Sequence, residues 1–590
     1  MPAKYLISFT NNVMKINYQY LVFIHLLAPL LSFSQEKRGA DIPWKTYEAE
    51  AMQTNGVVMG PRYMPYLVET EASGQQCVQL NSKGQYVEFI AGINANTIVV
   101  RYSLPDSDKG DGLHATLGVY KNGRLLQHRK ISSQYCMLYG SYPFTNDPKA
   151  GRPRNFYDDI RIHDLKINKG DVVRIQLDCA KGEATSCIID LADLENIAPA
   201  LQAPENSLSL TDQRFIGKQF SDTTDFTTAL WKCIAMAAET GKSVWIPTGT
   251  FKISGDIVLP AGITVQGAGM WYSTLAGDEK LYANANRRVR IKGSGSNIHL
   301  SDFALMGKLN YRSDNEDNDG IVGTFGTNST ITNLWIEHTK VGMWIENSSN
   351  LQIEGCRMRN TIADGINFCV GMNSSTIKNC TARNTGDDCF AIWPAAFRKQ
   401  QFSPGHNLII NCTAQLPFLA NGSAIYGGES NAIKNCSFID ISPGSAVLIS
   451  TTFPTENKSK NINNNFSGNT IVENCDIKTS GGFDHTWGWR ASVEICVDKR
   501  DISSLQIRNL NIEKSMSAGI SIIESNEVGK MGVLSNTTLE NVHLSTYGIG
   551  VEGRHGVFIS SDAHGSLMIS NSAVGEIKNA AGGNFKVVTN

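Results

Sequence analysis

Residues 350–356, Asn-Leu-Gln-Ile-Glu-Gly-Cys, recur in recognisable form along the second half of the chain. Each copy has a central Ile or Val, one further residue, then Asn or Gly, and then Cys. The other copies stand at 375–380, 407–412, 431–436 and 469–475. The cysteines that end the five copies are 24, 32, 24 and 39 residues apart. Such a period with insertions is typical of a solenoid, in which each repeat forms one coil and loops project between coils. Residues 211–590 are therefore predicted to form a right-handed parallel β-helix.

The repeating cysteines predict a column of thiols inside this β-helix. Equivalent positions on neighbouring coils lie about 4.8 Å apart, and Cys packs there as a small apolar residue. Adjacent thiols could oxidise, but side chains stacked in parallel register rarely have disulfide geometry. We therefore expect reduced thiols at Cys356, Cys380, Cys412, Cys436 and Cys475. The 13 cysteines include no CxxC pair, which argues against a zinc site.

The chain before the repeats has a different pattern. Residues 44–198 alternate apolar and polar side chains in short runs separated by turn signals such as Lys121-Asn122-Gly123. This pattern predicts an antiparallel, jelly-roll-like β-sandwich, followed by a linker near 197–210 and a short helix over 225–240. The fold class is thus all-β: a β-sandwich followed by a parallel β-helix.

Residues 1–34 have the pattern of a signal peptide. Lys4 and Lys15 precede an apolar stretch from Leu21 to Phe33, and small residues stand just before Gln35. The stretch is too short for a bilayer, which needs about 20 residues, and a buried N-terminal helix is the alternative. We expect cleavage after Ser34 and a secreted or periplasmic protein with no membrane partner.

The composition excludes some classes of partner. The formal net charge is −2, which favours neither nucleic acid nor an anionic membrane. Charged residues make up only 18% of the chain, and 53 glycines indicate many turns. We expect a monomer that needs no cofactor for catalysis.

Three aspartates are the candidate catalytic residues. Asp364 and Asp388 each stand eight residues after a repeat cysteine and are 24 residues apart, so they should stack on adjacent coils with Asp387 beside them. Like charges so close raise the pKa of at least one carboxyl group, which suits a general acid beside a water-activating base. A turn-capping role next to glycines is the alternative. Such a pair of carboxyl groups can cleave glycosidic bonds, but the spacing does not fix the separation of the side chains and so leaves the stereochemistry of cleavage undecided.

Aromatic and polar residues near these aspartates are candidates for sugar binding. Trp393, Tyr426, Trp344 and Asn367 are expected in a cleft, since flat apolar surfaces bind sugar rings, although core packing would explain the aromatic residues equally well. His338 and Glu429 are further candidates for the cleft. An inserted loop with Trp487, Trp489 and Arg490 is expected to wall one end of it.

The residues around the aspartates resemble one family of enzymes. Residues 334–344, 363–368, 383–393 and 420–428, with 267–275 upstream, resemble glycoside hydrolase family 87, which contains α-1,3-glucanases (mutanases) and mycodextranases. The resemblance implies an endo-type, inverting hydrolase of α-1,3-glucosidic bonds in mutan- or nigeran-type α-glucan. It implies three catalytic aspartates, which map onto Asp364, Asp387 and Asp388, and we assign Asp364 as the general acid and the other two as the holders of the water.

The resemblance extends to the β-sandwich, which is similar to carbohydrate-binding modules with a structural calcium ion. Glu48, Glu50 and Asp190 are the candidate calcium ligands. Two other functions stay open. A polygalacturonase-like pectin hydrolase would share Gly386-Asp387-Asp388, but Asn421-Gly422-Ser423 stands where it would have Gly-His-Gly. A non-catalytic β-helix that binds carbohydrate, such as an adhesin, is the other.

Overall fold

A computed structural model describes residues 37–217, 224–523 and 532–590 of the protein. The predicted signal peptide, 1–34, lies outside these residues. Residues Arg38–Asn590 form one compact unit, in which a β-sandwich is followed by a parallel β-helix, so the predicted fold class is confirmed. Within the described ranges, the helices are all too short or too polar to cross a membrane.

The β-sandwich consists of two antiparallel sheets that enclose a core of apolar side chains such as Val100, Leu117 and Ile175. The strands of the first sheet are Trp44–Glu48, Val57–Met59, Cys77–Leu80, Thr97–Ser103, Asp158–Ile162 and Cys187–Glu195. Those of the second sheet are Gln53–Thr54, Tyr86–Ile90, His114–Lys121, Arg124–Ser132 and Val172–Leu177.

The β-helix has three parallel strand stacks, and each coil visits them in turn. The first stack contains Ser207–Ser209, Ser243–Ile246, Thr264–Gly267, His299–Ser301, Thr330–Thr332, Gln352–Glu354, Thr376–Lys378, Leu408–Ile410, Ala432–Lys434 and Thr470–Glu473. The second contains Gly249–Ile253, Ser273–Gly277, Ala304–Met306, Trp335–Glu337, Arg357–Arg359, Thr381–Arg383, Thr413–Gln415, Ser437–Ile441 and Asp476–Ser480. These two stacks belong to one sheet, which ends in Ile502–Ser503, Leu505–Lys514, Val533–Thr546, His564–Ser570 and Phe585–Thr589.

The third stack is a separate sheet. Its strands are Asp256–Leu259, Arg290–Ser294, Gly320–Thr327, Met343–Ser349, Ile366–Phe368, Phe390–Ile392, Ser423–Ile425, Val447–Ser450, Val493–Cys496, Ile520–Ile523, Val557–Ile559 and Ile577–Asn579. The remaining short strands form hairpins: Leu138–Tyr139 with Pro153–Arg154, Glu456–Asn457 with Ile462–Asn463, and Phe483–Asp484 with Gly488–Trp489.

Helices are few. The predicted helix is present as Thr227–Thr240, and its buried Leu230, Ile234 and Ala237 join the apolar core of the β-helix. It ends at Gly241, whose φ of +67° is the left-handed conformation usual after a helix. The short helix Gln213–Ile216 precedes it, and the 3₁₀ turns are Ala49–Ala51, Glu69–Glu71, Ser73–Gln75, Pro148–Ala150, Ala285–Arg287, Lys458–Lys460 and Gly582–Asn584.

The repeat motif folds as its residue types require. The central apolar residue of each copy, such as Ile377, points into the core. Two residues later the Asn adopts a left-handed conformation, with φ of +54° at Asn379. Asn tolerates this conformation better than most residues, so the chain bends there and the next residue, Cys380, also points inward. All 13 cysteines are buried free thiols, as the repeat predicts for the column.

The β-sandwich lies against the second stack of the β-helix through buried ion pairs. Arg383 bonds Asp193 at 2.8 Å and Asp159 at 3.1 Å, and Arg357 bonds Glu195 at 2.7 Å. Buried charges are tolerated only when they are paired in this way. The sandwich is therefore held next to the turn that connects the second stack to the third.

Candidate active site

The three candidate aspartates lie on this turn, in two adjacent coils. Asn360 and Asn384 begin the turn with φ of +49° and +60°. The backbone N–H of Gly365 donates to the carbonyl of Asp388 at 2.9 Å, so Asp364 and Asp388 occupy equivalent positions in register. The 24-residue spacing predicts this stacking, and the equivalent position on the next coil holds Asn421.

The three carboxyl groups converge. One oxygen from each of Asp364, Asp387 and Asp388 lies within 4.8 Å of the other two. Asp364 and Asp388 are buried, whereas 28% of the side chain of Asp387 is exposed. The cluster therefore combines two carboxyl groups shielded from water with one that faces it.

Burial and mutual repulsion change the acidity of the two buried carboxyl groups. Burial, with the charges of Asp387 and Asp388, raises the pKa of Asp364 well above its usual range. Burial and the charge of Asp387 raise the pKa of Asp388 to about 7, although hydrogen bonds from Tyr426 and Asn421 oppose the increase. These bonds are 2.7 Å from the Tyr426 hydroxyl and 2.8 Å from the Asn421 amide. Asp364 accepts one side-chain bond, from Asn367 Nδ2 at 3.2 Å.

Asp387 has a different partner. Arg312 Nη2 donates to Asp387 Oδ2 at 2.7 Å, and the guanidinium is buried. An adjacent cation favours the ionised form of a carboxyl group. The cluster therefore combines a carboxyl group paired with a cation and a carboxyl group whose pKa is raised, an arrangement that can serve acid–base hydrolysis.

A cleft of about 550 Å³ opens over the aspartates. It is lined by Asn367 and by an aromatic strip of Trp344, Trp393 and Phe453. The ring centroids of Trp344 and Trp393 are 6.0 Å apart, and those of Trp393 and Phe453 are 5.6 Å apart. Within the described residues, Trp393 Nε1 and Asn367 Oδ1 are buried without a hydrogen-bond partner. The rings are tilted or edge-on to one another. Aromatic ring surfaces with spare polar atoms are suited to binding sugar rings and their hydroxyl groups.

A second, smaller cavity continues the cleft past the aspartates. It shares Asp387, Tyr426 and Phe453 with the first cavity and ends at Trp487 and Arg490. Of the predicted wall residues, Trp489 does not line this cavity and instead packs edge-on against Phe483 at 5.7 Å. The two cavities form a groove that extends to both sides of the three aspartates.

Two of the predicted cleft residues lie elsewhere. His338 is buried under the sandwich, where its Nε2 is 2.8 Å from Asp158 and its ring stacks on Tyr135. The sequence pattern identifies its coil but not the side on which the sandwich docks. Glu429 lies at the corner between the third and first stacks, where its side chain is 53% exposed and 3.8 Å from His406. Neither residue lines the cleft.

The candidate calcium ligands form a loose acidic group in the sandwich. Asp190 is already bonded by the Arg101 guanidinium and by the Ser73 backbone N–H at 2.9 Å. Glu48 and Glu50 each keep one buried oxygen without a partner among the described residues, and burial raises their pKa values to about 8 and about 7. Carboxylate oxygens suit calcium, and two of the three candidates have one to offer, so calcium binding stays a prediction.

Several residues of the cleft escape sequence reasoning. Arg312, Tyr142 and Phe453 belong to loops outside the repeat, and Arg312 and Tyr142 are 75 and 245 residues before Asp387. A repeat period predicts which positions stack, but it carries no information about where an inserted loop folds back. Asn421 follows Asp388 in register, but it stands nine residues after Cys412 rather than eight, so the matching of strands finds it and counting does not.

Comparisons with known proteins agree on one family. A model of the α-1,3-glucanase catalytic domain D1 matches residues 41–197, and a model of the α-1,3-glucanase catalytic domain D2 matches residues 219–588. Together they cover the sandwich and the β-helix. No curated protein matches the chain.

Solved structures of similar proteins share the fold. The Agl-KA catalytic domain is 24% identical, with a TM-score of 0.79 over 94% of this chain and 98% of its own. The catalytic unit of the thermostable GH87 α-1,3-glucanase from Streptomyces thermodiastaticus strain HF3-3 is 27% identical, with a TM-score of 0.77 over 93% and 96%. A GH87 α-1,3-glucanase catalytic domain in complex with tetrasaccharides is 26% identical, with a TM-score of 0.77 over 93% and 99%.

Proposed function

Because the chain belongs to glycoside hydrolase family 87 and is a glycoside hydrolase acting on α-1,3-glucan, we propose that Asp364, Asp387 and Asp388 are its catalytic residues. The observation that carries the proposal is the convergence of three carboxyl groups within 4.8 Å in unlike surroundings. The family assignment decides against a pectin hydrolase and against a non-catalytic binding protein.

We assign the roles from these surroundings. Asp364, whose pKa is raised by burial and by its acidic neighbours, is the general acid that protonates the leaving oxygen. Asp387, ion-paired with Arg312 and partly exposed, is the base that activates water. Asp388 is held by Tyr426 and Asn421 and helps to orient that water.

The related structures support this choice of residues. Three of them are Asp-to-Ala variants of a GH87 α-1,3-glucanase catalytic domain, solved with nigerose or tetrasaccharides. The substituted positions are separated by 23 residues and then 1 residue. Asp364, Asp387 and Asp388 have the same spacing.

We propose endo action on mutan- or nigeran-type glucan. The groove extends to both sides of the aspartates, past Trp393 on one side and to Trp487 on the other, so a polymer can lie across it without a chain end in the site. Viscosity and product-size profiles on an alternating α-1,3/α-1,4 glucan and on a pure α-1,3-glucan test this. Release of a single small product from the first minutes would contradict endo cleavage.

We propose inversion at the anomeric carbon on the family resemblance alone. An inverting hydrolase uses a carboxylic acid and a carboxylate that activates water, the roles assigned above to Asp364 and Asp387. Proton NMR of the first products decides the matter: β-anomers that later mutarotate support inversion, and α-anomers refute it.

We further propose that the chain is exported after removal of residues 1–34. The support is the basic-then-apolar pattern and the small residues before Gln35. N-terminal sequencing of the protein from the culture medium or periplasm should begin at Gln35, and an intact Met1 on an intracellular protein would contradict export.

Replacing Trp393 by alanine should raise KM for α-1,3-glucan about tenfold and change kcat little. The ring is the centre of the aromatic strip, and aromatic contacts contribute about 0.5–1.5 kcal/mol beyond the area they bury. Initial rates over a range of glucan concentrations measure the change. Tyr86→Ala, in the second sheet of the sandwich, is the control and should match the wild type; an unchanged KM for Trp393→Ala would remove this residue from the binding surface.

A further inference from the structure

Arg312 is a buried cation that bonds to two coils at once. Its three guanidinium nitrogens are all used: Nε donates to Asp314 at 3.0 Å, Nη1 to the carbonyl of Gly386 at 2.7 Å, and Nη2 to Asp387 at 2.7 Å. Nη1 also lies 3.4 Å from the carbonyl of Ile362, one coil earlier. The planar fork of an arginine can satisfy such a set with little freedom left, so the orientation of Asp387 depends on it.

The sandwich supplies the last partner of this guanidinium. Tyr142 lies in the loop between Arg124–Ser132 and Asp158–Ile162, and its hydroxyl accepts a hydrogen bond from Arg312 Nη2 at 3.1 Å. The same hydroxyl donates to Asp314, and the ring lies 4.6 Å from the guanidinium carbon. Burial raises the pKa of Tyr142, so the hydroxyl keeps its proton and the bond to Asp314.

The loop that carries Tyr142 is itself anchored in the β-helix. Its Phe144 is buried in the core of the β-helix, where its ring centroid is 6.3 Å from that of Phe418. The carbonyl of Phe144 accepts a hydrogen bond from the backbone N–H of Arg312 at 3.1 Å. The backbone N–H of Tyr142 is bonded to His485 at 2.9 Å. The sandwich is therefore part of the wall of the cleft, and a motion of this loop would move Arg312.

Resting on the proposed role of the three aspartates, we propose that Arg312 and Tyr142 form a positioning pair that acts on catalysis through Asp387. The pair orients the Asp387 carboxylate and supplies the only positive charge bonded to the cluster within the described residues.

The ionisable groups around the pair are of two sets. Facing Asp387 are Asp364, Asp388 and Tyr426; facing Arg312 are Asp314, Lys340 and Tyr142, with His485 and Arg154 beyond them. The cluster has three carboxyl groups and one bonded arginine, so its balance of charge depends on that arginine.

The pH profile of kcat/KM is the test, on soluble α-1,3-linked oligosaccharide with the full chain. Arg312→Gln removes the charged bond that orients Asp387, so kcat/KM should fall by about tenfold or more. It also removes the charge that lowers the pKa of Asp364, so the alkaline limb, where the general acid loses its proton, should move to higher pH. Tyr142→Phe keeps that charge and removes one bond to the guanidinium, so it should lower kcat/KM by less and leave the limb in place. Arg312→Lys, which keeps the charge without the fork, should lie between the wild type and Arg312→Gln.

Two matched variants in the second sheet of the sandwich serve as controls. Arg174→Gln breaks an ion pair with Glu88 of 2.7 Å, and Tyr120→Phe removes a hydroxyl bonded to Asp178 at 2.7 Å. Both should leave the profile unchanged. Thermal unfolding checks that each variant is folded. If Arg312→Gln is not folded, Tyr142→Phe is the variant that tests the inference.

The outcome separates this inference from the proposed function. A fall in kcat/KM in both variants, with the alkaline limb moved to higher pH in Arg312→Gln, supports both. A fall in kcat/KM with an alkaline limb that stays in place supports the positioning pair but argues against Asp364 as the proton donor. Folded Arg312→Gln and Tyr142→Phe with kcat/KM as in the wild type would overturn the inference and leave the assignment of the aspartates untouched.

Discussion

Replacing Asp364 by asparagine is expected to lower kcat on α-1,3-glucan by about 10²–10⁴-fold. The raised pKa of Asp364, caused by burial and by Asp387 and Asp388, keeps a proton on this carboxyl group that the leaving oxygen needs. The amide of asparagine has the same shape and no acidic proton, so the fold and the bond with Asn367 should be retained. Reducing-end release measures the loss on glucan.

An activated substrate identifies the role of Asp364. A dinitrophenyl α-nigeroside has a leaving group that departs without protonation, so Asp364→Asn should lose less than about tenfold on it. Asp302→Asn, which changes an aspartate at a corner between the first and second stacks, is the control and should act as the wild type. Equal losses on glucan and on the aryl glycoside would show that Asp364 is not the general acid.

The repeat explains why part of the site could be predicted from sequence. Between coils with no residue inserted, an equal distance from a repeat cysteine means an equal place on the coil, so the positions of Asp364 and Asp388 follow from counting. Tyr426 and Trp393 follow in the same way, because each comes directly after a strand of the third stack. The periodicity carries this information without any knowledge of the loops.

The contacts that distinguish one aspartate from another do not follow from counting. Arg312 reaches Asp387 across 75 residues, and the bond of Tyr142 to Arg312 spans 170. His338 shows the reverse case: its coil is predictable, but its side chain bonds Asp158 of the sandwich. Docking of the sandwich depends on paired charges that are far apart in sequence, such as Arg383 with Asp159 and Asp193, and no local pattern marks such pairs.

These contacts also bear on what the sandwich does. A separate sugar-binding module would be joined by a linker and would leave the cleft complete without it. Here a sandwich loop places Phe144 in the core of the β-helix and Tyr142 on the cleft. The sandwich, which matches the α-1,3-glucanase catalytic domain D1, thus contributes to the active-site wall, and its likeness to a carbohydrate-binding module stays a prediction.

Replacing Asp387 by asparagine is expected to lower kcat by about 10²–10⁴-fold on glucan and on the aryl glycoside alike. Water must be activated whatever the leaving group, and an amide cannot take its proton. Asparagine can still accept the bond from Arg312 through its amide oxygen, so the loss should appear without a large change in the unfolding temperature. Initial rates on both substrates, with Asp302→Asn beside them, give the comparison.

The pair of substrates makes the assignment of Asp387 decisive. If Asp387 is the base, the aryl glycoside offers no relief, and Asp387→Asn and Asp364→Asn separate on that substrate by about the factor that leaving-group protonation contributes. If Asp387→Asn keeps its activity on the aryl glycoside while Asp364→Asn loses it, Asp387 is the proton donor. In that case the bond from Arg312, at 2.7 Å, would have to be broken or shifted when substrate binds, because a carboxylate held by a guanidinium is a poor acid. The ion pair is therefore the physical reason to expect the first result.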